Sequence, residues 1–266
     1  MVVGENNTNS KNHANTLVFS RAWDDIHPVL IPDPFQMTSY GGNLNLTTPD
    51  ALPWENKLPK MFFGGTSTGA KNPFQNSRVK ACLWAQGKRV IGRPDDHTYE
   101  VVDDVKSEGE RTLRKNIADF RISRLAPQTS PSDLFHVIGD ASKDILSDPF
   151  PNDFFRRYRI ALNIPGNTSS WARVPDILSS KSVLFDQRST KDILWWSPLL
   201  AEGVHYVGVS PDFRNLETKF HDIVNSKTRC HFITESANDF AQDFLHSVNA
   251  AQYMRSLLEN CATNGR

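Results

Sequence analysis

The chain has 266 residues, of which 38% are hydrophobic and 23% charged, and its 30 Lys+Arg balance 30 Asp+Glu to a formal net charge of zero. That composition excludes a disordered chain, and the absence of a basic excess excludes a dedicated nucleic-acid binder, whose affinity rests on neutralising phosphates. No apolar run approaches the roughly 20 residues of a bilayer span, so the partners expected are small anionic ligands, with no nucleic acid and no stable membrane insertion.

Residues 1–15 are polar and lack the apolar core of a signal peptide. As given, the chain reads as cytoplasmic; a secretory location stays open if it is a trimmed piece of a longer protein. Short apolar runs at 17–19 and 29–31 predict buried strands. Asp24, Asp25 and Asp33, near Pro28, Pro32 and Pro34, read as turn and cap residues. A strand at 60–63 then runs into Gly64-Gly65-Thr66-Ser67-Thr68-Gly69, and a helix over 73–86 follows, with Val79, Ala81 and Leu83 on its apolar face. Strand, glycine-rich turn and helix start aim backbone N–H groups at one place, and Thr66, Ser67 and Thr68 add hydroxyls, which suits a phosphate. The Gly-Lys-Ser/Thr ending of a P-loop is missing. An ordinary turn with a capping hydroxyl is the plain alternative.

The stretch 88–132 is charged and shows no clear period, and a boundary between two lobes is placed near residue 100. Downstream, residues 158–164 alternate as a strand and end in Pro165-Gly166-Asn167. Thr168, Ser169, Ser170 and Arg173 follow, a second hydroxyl-rich turn beside a guanidinium whose planar fork fits a diphosphate. A helix over 174–179, strands at 182–185 and 204–209, and a helix over 215–225 come next. Phe240, Phe244, Val248, Ala251, Leu257 and Leu258 predict one amphipathic helix over 236–261. Strands alternating with helices argue for a parallel α/β architecture. His205 and Tyr206 open a strand, where they could contact a ligand or serve the core. Cys82, Cys230 and Cys261 have no metal-type spacing and read as buried thiols. Adjacent carboxylates at Asp24-Asp25 and Asp95-Asp96 are weak metal signals, so neither a metal nor a cofactor is expected.

Taken in order, these segments resemble glycosyltransferase family 90, the capsule-associated and Rumi-like protein O-glucosyl- and xylosyltransferases, in a compact microbial or viral form. Trp54-Glu55-Asn56-Lys57, Phe62-Phe63-Gly64-Gly65-Thr66-Ser67-Thr68-Gly69 and Arg78 are similar to the first block of that family. Residues 158–173 are similar to its Y-x-I-x-x-x-G-N-x-x-S-x-R block. Leu178-Ser179-Ser180-Lys181-Ser182-Val183-Leu184 is similar to L-x-S-G-S-x-V/L, and Trp196 through His205-Tyr206-Val207-Gly208-Val209, Asp212 and Leu216 to the closing stretch. Many members carry Arg where Gly64 stands and Gly where Lys181 stands.

The resemblance implies a GT-B fold, with two Rossmann-like lobes facing a cleft. Residues 1–100 would form the acceptor-side lobe, 101–240 the nucleotide-sugar lobe, and 241–266 a helix packing back on the first lobe. It also implies a UDP-sugar donor, xylose before glucose, with inversion, no metal, and a glycan or protein hydroxyl as acceptor. Gly65, Thr66, Ser67, Thr68, Arg78, Thr168, Ser169, Ser170 and Arg173 would hold the donor, with His205 and Tyr206 lining its pocket. Glu5 is the first choice for the base and Asp24 the second. The alternative is a nucleotide-sugar or glycan-binding protein without turnover.

Overall fold

A computed structural model describes residues 17–21, 29–32, 50–70, 72, 74–93, 98–127, 141–167, 172–188 and 193–264. Three two-residue strands, β1 (Leu17–Val18), β2 (Ser20–Arg21) and β3 (Val29–Leu30), come first. β1 pairs with β3 in parallel. The short strands expected at 17–19 and 29–31 are therefore present, but each is brief, and β1 is not buried as expected: Leu17 is exposed and Val18 only partly covered.

β4 (Leu58–Thr66) is longer than the four-residue strand expected. Its Met61-Phe62-Phe63 core is continuous apolar sequence because both faces of the strand are covered. Helix α1 (Ser77–Ala85) follows. Next comes an antiparallel hairpin of β5 (Lys88–Arg93) and β6 (Thr98–Asp103), then α2 (Glu108–Ile117) and β7 (Ala118–Arg124). A short α3 (Ala141–Ile145) precedes β8 (Tyr158–Asn163), α4 (Arg173–Leu178) and β9 (Val183–Asp186). β10 (Ile193–Leu194) pairs antiparallel with β2, and β11 (Val207–Gly208) ends the strands.

β4, β7, β8, β9 and β11 form one parallel five-stranded sheet in the order β11-β9-β8-β4-β7. Side chains alternate across it, as a pleated strand requires. Met61, Phe63, Ile160, Leu162, Val183 and Phe185 pack on one face with Val79, Cys82 and Leu83 of α1. Phe62, Ala161 and Leu184 pack on the other with Val174, Ile177 and Leu178 of α4. The architecture is thus α/β with a Rossmann-like sheet. The boundary expected near residue 100 falls inside this sheet, since β4 is hydrogen-bonded to both β7 and β8. A second Rossmann-like sheet is not found among the described residues.

Helices α5 (Leu216–Val224) and α6 (Lys227–Phe240) complete the first face. The single helix expected over 236–261 is broken. A π turn spans Ala241–Leu245, His246 is extended (φ −62°, ψ 141°), and α7 (Ser247–Asn264) starts afresh. Asn249 explains how the break is tolerated: its Nδ2 donates to the Gln242 and Asp243 carbonyls that the interrupted helix leaves open. On α7, Tyr253 stacks on Trp195 at 4.8 Å and donates to the Leu30 carbonyl, 3.1 Å away. Cys82 and Cys230 are buried as expected, but Cys261 is exposed on α7. No helix among the described residues is long and apolar enough to cross a membrane.

Candidate functional site

Numbered by appearance along the chain, the sheet runs 5-4-3-1-2, so strand order reverses between β4 and β8. In an open parallel sheet this reversal splays the connecting loops apart at the carboxyl ends and leaves a crevice there. A cavity of about 490 Å³ occupies that position. Gly64, Gly65, Thr66 and Thr68 line it from the end of β4 and Arg78 from α1; Arg173 and Asp176 line it from α4, and Phe150, Pro151 and Asn152 from the loop ahead of β8.

The turns after β4 and β8 meet. The Gly69 amide donates to Asn167 Oδ1 at 2.9 Å. Arg78 reaches across both: Nε and Nη2 donate to the Ile164 carbonyl, at 3.2 and 3.0 Å, and Nη1 donates to the Thr66 carbonyl and the Thr68 hydroxyl. Arg173 Nη2 donates to the Gly64 carbonyl at 2.6 Å, with its guanidinium 5.1 Å from the Phe63 ring centroid. Its Nη1 is sealed from solvent and has no acceptor among the described residues.

Two glycines make these approaches possible. A Cβ on Gly65 would lie 2.9 Å from Arg173 Nη2, and a Cβ on Gly166 would lie 2.5 Å from Thr68 Oγ1 and 2.9 Å from Arg78 Nη2. Neither guanidinium is paired with a carboxylate among the described residues. Burial, and then the charge of Arg173, depress the Arg78 pKa to about 9; burial alone depresses that of Arg173 to about 10. Both cations therefore sit in surroundings that disfavour their charge, which an entering anion would relieve.

The expected donor residues part company here. Gly65, Thr66, Thr68, Arg78 and Arg173 line one cavity. Ser67 does not: it is buried, and its hydroxyl accepts from the Ala126 amide at 2.9 Å, fixing the turn to the end of β7. Nor do His205 and Tyr206, which precede β11 at its amino end, away from the cavity. His205 Nδ1 accepts from the Ala201 amide, and burial lowers its pKa; Tyr206 is buried, with Arg188 Nη1 3.3 Å from its hydroxyl. Thr168, Ser169 and Ser170, and both candidate bases, Glu5 and Asp24, lie outside the described residues.

The first turn of α1 was expected to offer open N–H groups to a phosphate. Asn76 takes two of them instead: its Oδ1 accepts from the Arg78 and Val79 amides, while Nδ2 donates to the Ser67, Thr68 and Ala70 carbonyls. Asn76 is a positioning residue that sequence reasoning missed; a capping Asn just before an apolar-periodic run was the available signal. Asp176 was missed as well. It is buried in the cavity wall with its pKa raised by burial, against the lowering effect of Arg156, whose Nη2 is 3.0 Å from Oδ1.

The profile of glycosyl transferase family 90 matches residues 116–264, more than half of the chain. The chain belongs to glycosyl transferase family 90. The part of this family 90 chain that matches runs from the end of α2 to α7 and includes Arg173; the glycine-rich turn and Arg78 lie upstream and are joined to it by the hydrogen bonds above. The chain is also similar to the protein called "Uncharacterized protein 179R" of Invertebrate iridescent virus 6, at 22% identity over 243 residues, which are 87% of this chain and 18% of that protein. The chain thus spans under a fifth of the length of that relative.

Proposed function

We propose that this family 90 chain is an inverting glycosyltransferase that moves a sugar, xylose or next glucose, from a UDP-sugar to a hydroxyl of a glycan or protein. The carrying observation is the Arg173 guanidinium, held against Gly64 O at a topological switch point, with no acceptor for Nη1 among the described residues. A buried charged donor left without a partner is costly, and a diphosphate oxygen is an acceptor of matching geometry and charge. As the sugar leaves, charge grows on the UDP oxygens, and a preorganised guanidinium stabilises it without reorganisation. Arg78 fixes the two turns around that position. The base that takes the acceptor proton would be Glu5 or Asp24, in a GT-B arrangement whose second lobe supplies the acceptor side. The two arginines would take the place of a metal.

Calorimetry tests this. UDP should bind the wild type, equally with and without EDTA. Arg173→Ala should weaken binding at least about tenfold, the worth of one charge-assisted bond, with an unchanged circular dichroism spectrum. Wild-type UDP affinity in the folded variant would remove the proposal.

A further inference from the structure

Beside the two arginines the cavity has a wall of a different kind. Phe150 lines it as a half-buried ring, edge-on to Phe62 (5.4 Å, 89°) and packed on Phe154 at 4.9 Å, so its orientation is fixed from two sides. The backbone makes room for this ring: a Cβ at Gly64 would lie 2.7 Å from Phe62 Cζ and 3.0 Å from the nearest Phe150 ring atom. The same residue, Gly64, accepts the Arg173 hydrogen bond through its carbonyl. Guanidinium and aromatic ring therefore bear on one residue of β4. Asp176 stands three residues after Arg173 on α4, so the two side chains share a helix face, and both line the cavity.

That adjacency decides which part of a nucleotide sugar reaches the ring. In such a donor the sugar is bonded directly to the terminal phosphate, whereas the base is separated from it by a second phosphate and a ribose. With the diphosphate on Arg173, the next group along is the sugar. We infer that Phe150 and Asp176 form the pocket for the transferred sugar: a neutral pyranose lies with its C–H face on the Phe150 ring and donates hydroxyl hydrogens to the Asp176 carboxylate. An apolar wall with one well-placed polar group is the usual make-up of a small-ligand pocket. A uronic acid would bring a second carboxylate against Asp176 and is disfavoured.

This rests on the UDP-sugar reading above, and the test separates the two. Affinities for UDP, UDP-xylose, UDP-glucose and UDP-glucuronate are measured by calorimetry in the wild type, Phe150→Ala, Phe150→Leu and Asp176→Asn. UDP reports everything in the donor but the sugar, and an unchanged circular dichroism spectrum shows that each variant is folded. The ratio of Kd for UDP-xylose or UDP-glucose to Kd for UDP should rise about 3- to 10-fold in both Phe150 variants, the range of an aromatic stacking contribution. Phe150→Leu preserves most of the packing volume and decides the matter if Phe150→Ala does not fold. Asp176→Asn should raise the same ratio and reduce the discrimination against UDP-glucuronate. An equal loss for UDP and its sugars would put the base on the ring and overturn the inference. An unchanged ratio in the Phe150 variants would make the ring wall only and also overturn it. Failure of the wild type to bind UDP defeats the underlying reading before any variant is compared.

Discussion

Among the described residues Arg78 makes four hydrogen bonds, to the Ile164 and Thr66 carbonyls and the Thr68 hydroxyl, while Arg173 makes one and its Nη1 meets no acceptor. Gly65→Ala separates a holding role from a binding one. Its new Cβ, 2.9 Å from Arg173 Nη2, must push the guanidinium aside. Displacing the side chain proposed to bind the diphosphate should weaken UDP by about tenfold, while Tm changes by only a few degrees; undiminished affinity would show that Arg173 does not touch the nucleotide. A second residue-scale prediction concerns Asp186, at the end of β9. Burial pushes its carboxyl up from 3.8 to about 6, against the opposing pull of a 2.7 Å bond from Asn163 Nδ2. The folded protein then holds more protons than the unfolded chain between about pH 4 and 6. Stability should fall as pH rises through that window and level off above it, by on the order of 2–3 kcal/mol. Asp186→Asn should flatten the slope and gain stability at pH 8, because an amide can also donate to Asn163 Oδ1, which has no partner among the described residues. Urea denaturation at pH 4.5 and 8 checks both statements. At this scale the glycine-rich turn, the Pro-Gly-Asn turn and Arg173 were legible, since glycine and hydroxyl residues mark a turn wherever it lies. Asp176 was not: an acid in the first turn of a helix looks the same whether it faces water or a cavity.

Among elements, β4 shows what the Trp54-Glu55-Asn56-Lys57 block is for. Lys57 is fully buried, with Nζ 2.6 Å from Asp50 Oδ2 and 3.2 Å from Ser182 Oγ, and it also donates to the Arg156 carbonyl. Asp50 Oδ2 accepts the Lys181 amide too. One ammonium thereby ties the amino ends of β4, β8 and β9, opposite the cavity. Burial lowers the Lys57 pKa, and Asp50 opposes that shift. Lys57→Met leaves the Asp50 carboxylate buried without its cation and should cost about 3–5 kcal/mol in urea denaturation, whereas changing Asp50 to Asn in the same chain should recover part of it. A loss under about 1 kcal/mol in the single variant would mean the pair is solvated. The element pattern was legible where strands are buried on both faces, as in β4, β8 and β9. It was not legible for β5 and β6, an outlying hairpin where Lys88, Arg89, Glu100 and Asp103 interrupt the apolar pattern, whereas β7 at the sheet edge does alternate, with Ala118, Phe120 and Ile122 buried between Asp119, Arg121 and Ser123, and was missed in the charged stretch around it. The break at His246 was hidden for another reason. Apolar residues continue with a helical period on both sides of it, and only the hydrogen bonds of Asn249 betray the interruption.

For the whole molecule, the distribution of roles follows from where the sheet begins. Every strand of the five-stranded sheet, both arginines and the cavity lie at or after residue 58, and the Asp50–Lys57 pair that anchors β4 lies just before it. The residues upstream touch this body through β2 on β10 and through Leu30 on Tyr253. They also contain both candidate bases, Glu5 and Asp24. On the proposed function, donor binding and acceptor activation fall on different parts of the chain, and the two can be tested separately. A chain starting at Asp50 should fold, bind UDP within about threefold of the full chain, a difference of under 1 kcal/mol, and transfer no sugar. Glu5→Gln in the full chain should likewise keep UDP binding and lose transfer, since an amide cannot take the proton and the acceptor hydroxyl stays protonated. Transfer by the shortened chain would place the base within residues 50–266, and Asp176 would then be the carboxylate to replace next, because it is the only one lining the cavity among the described residues.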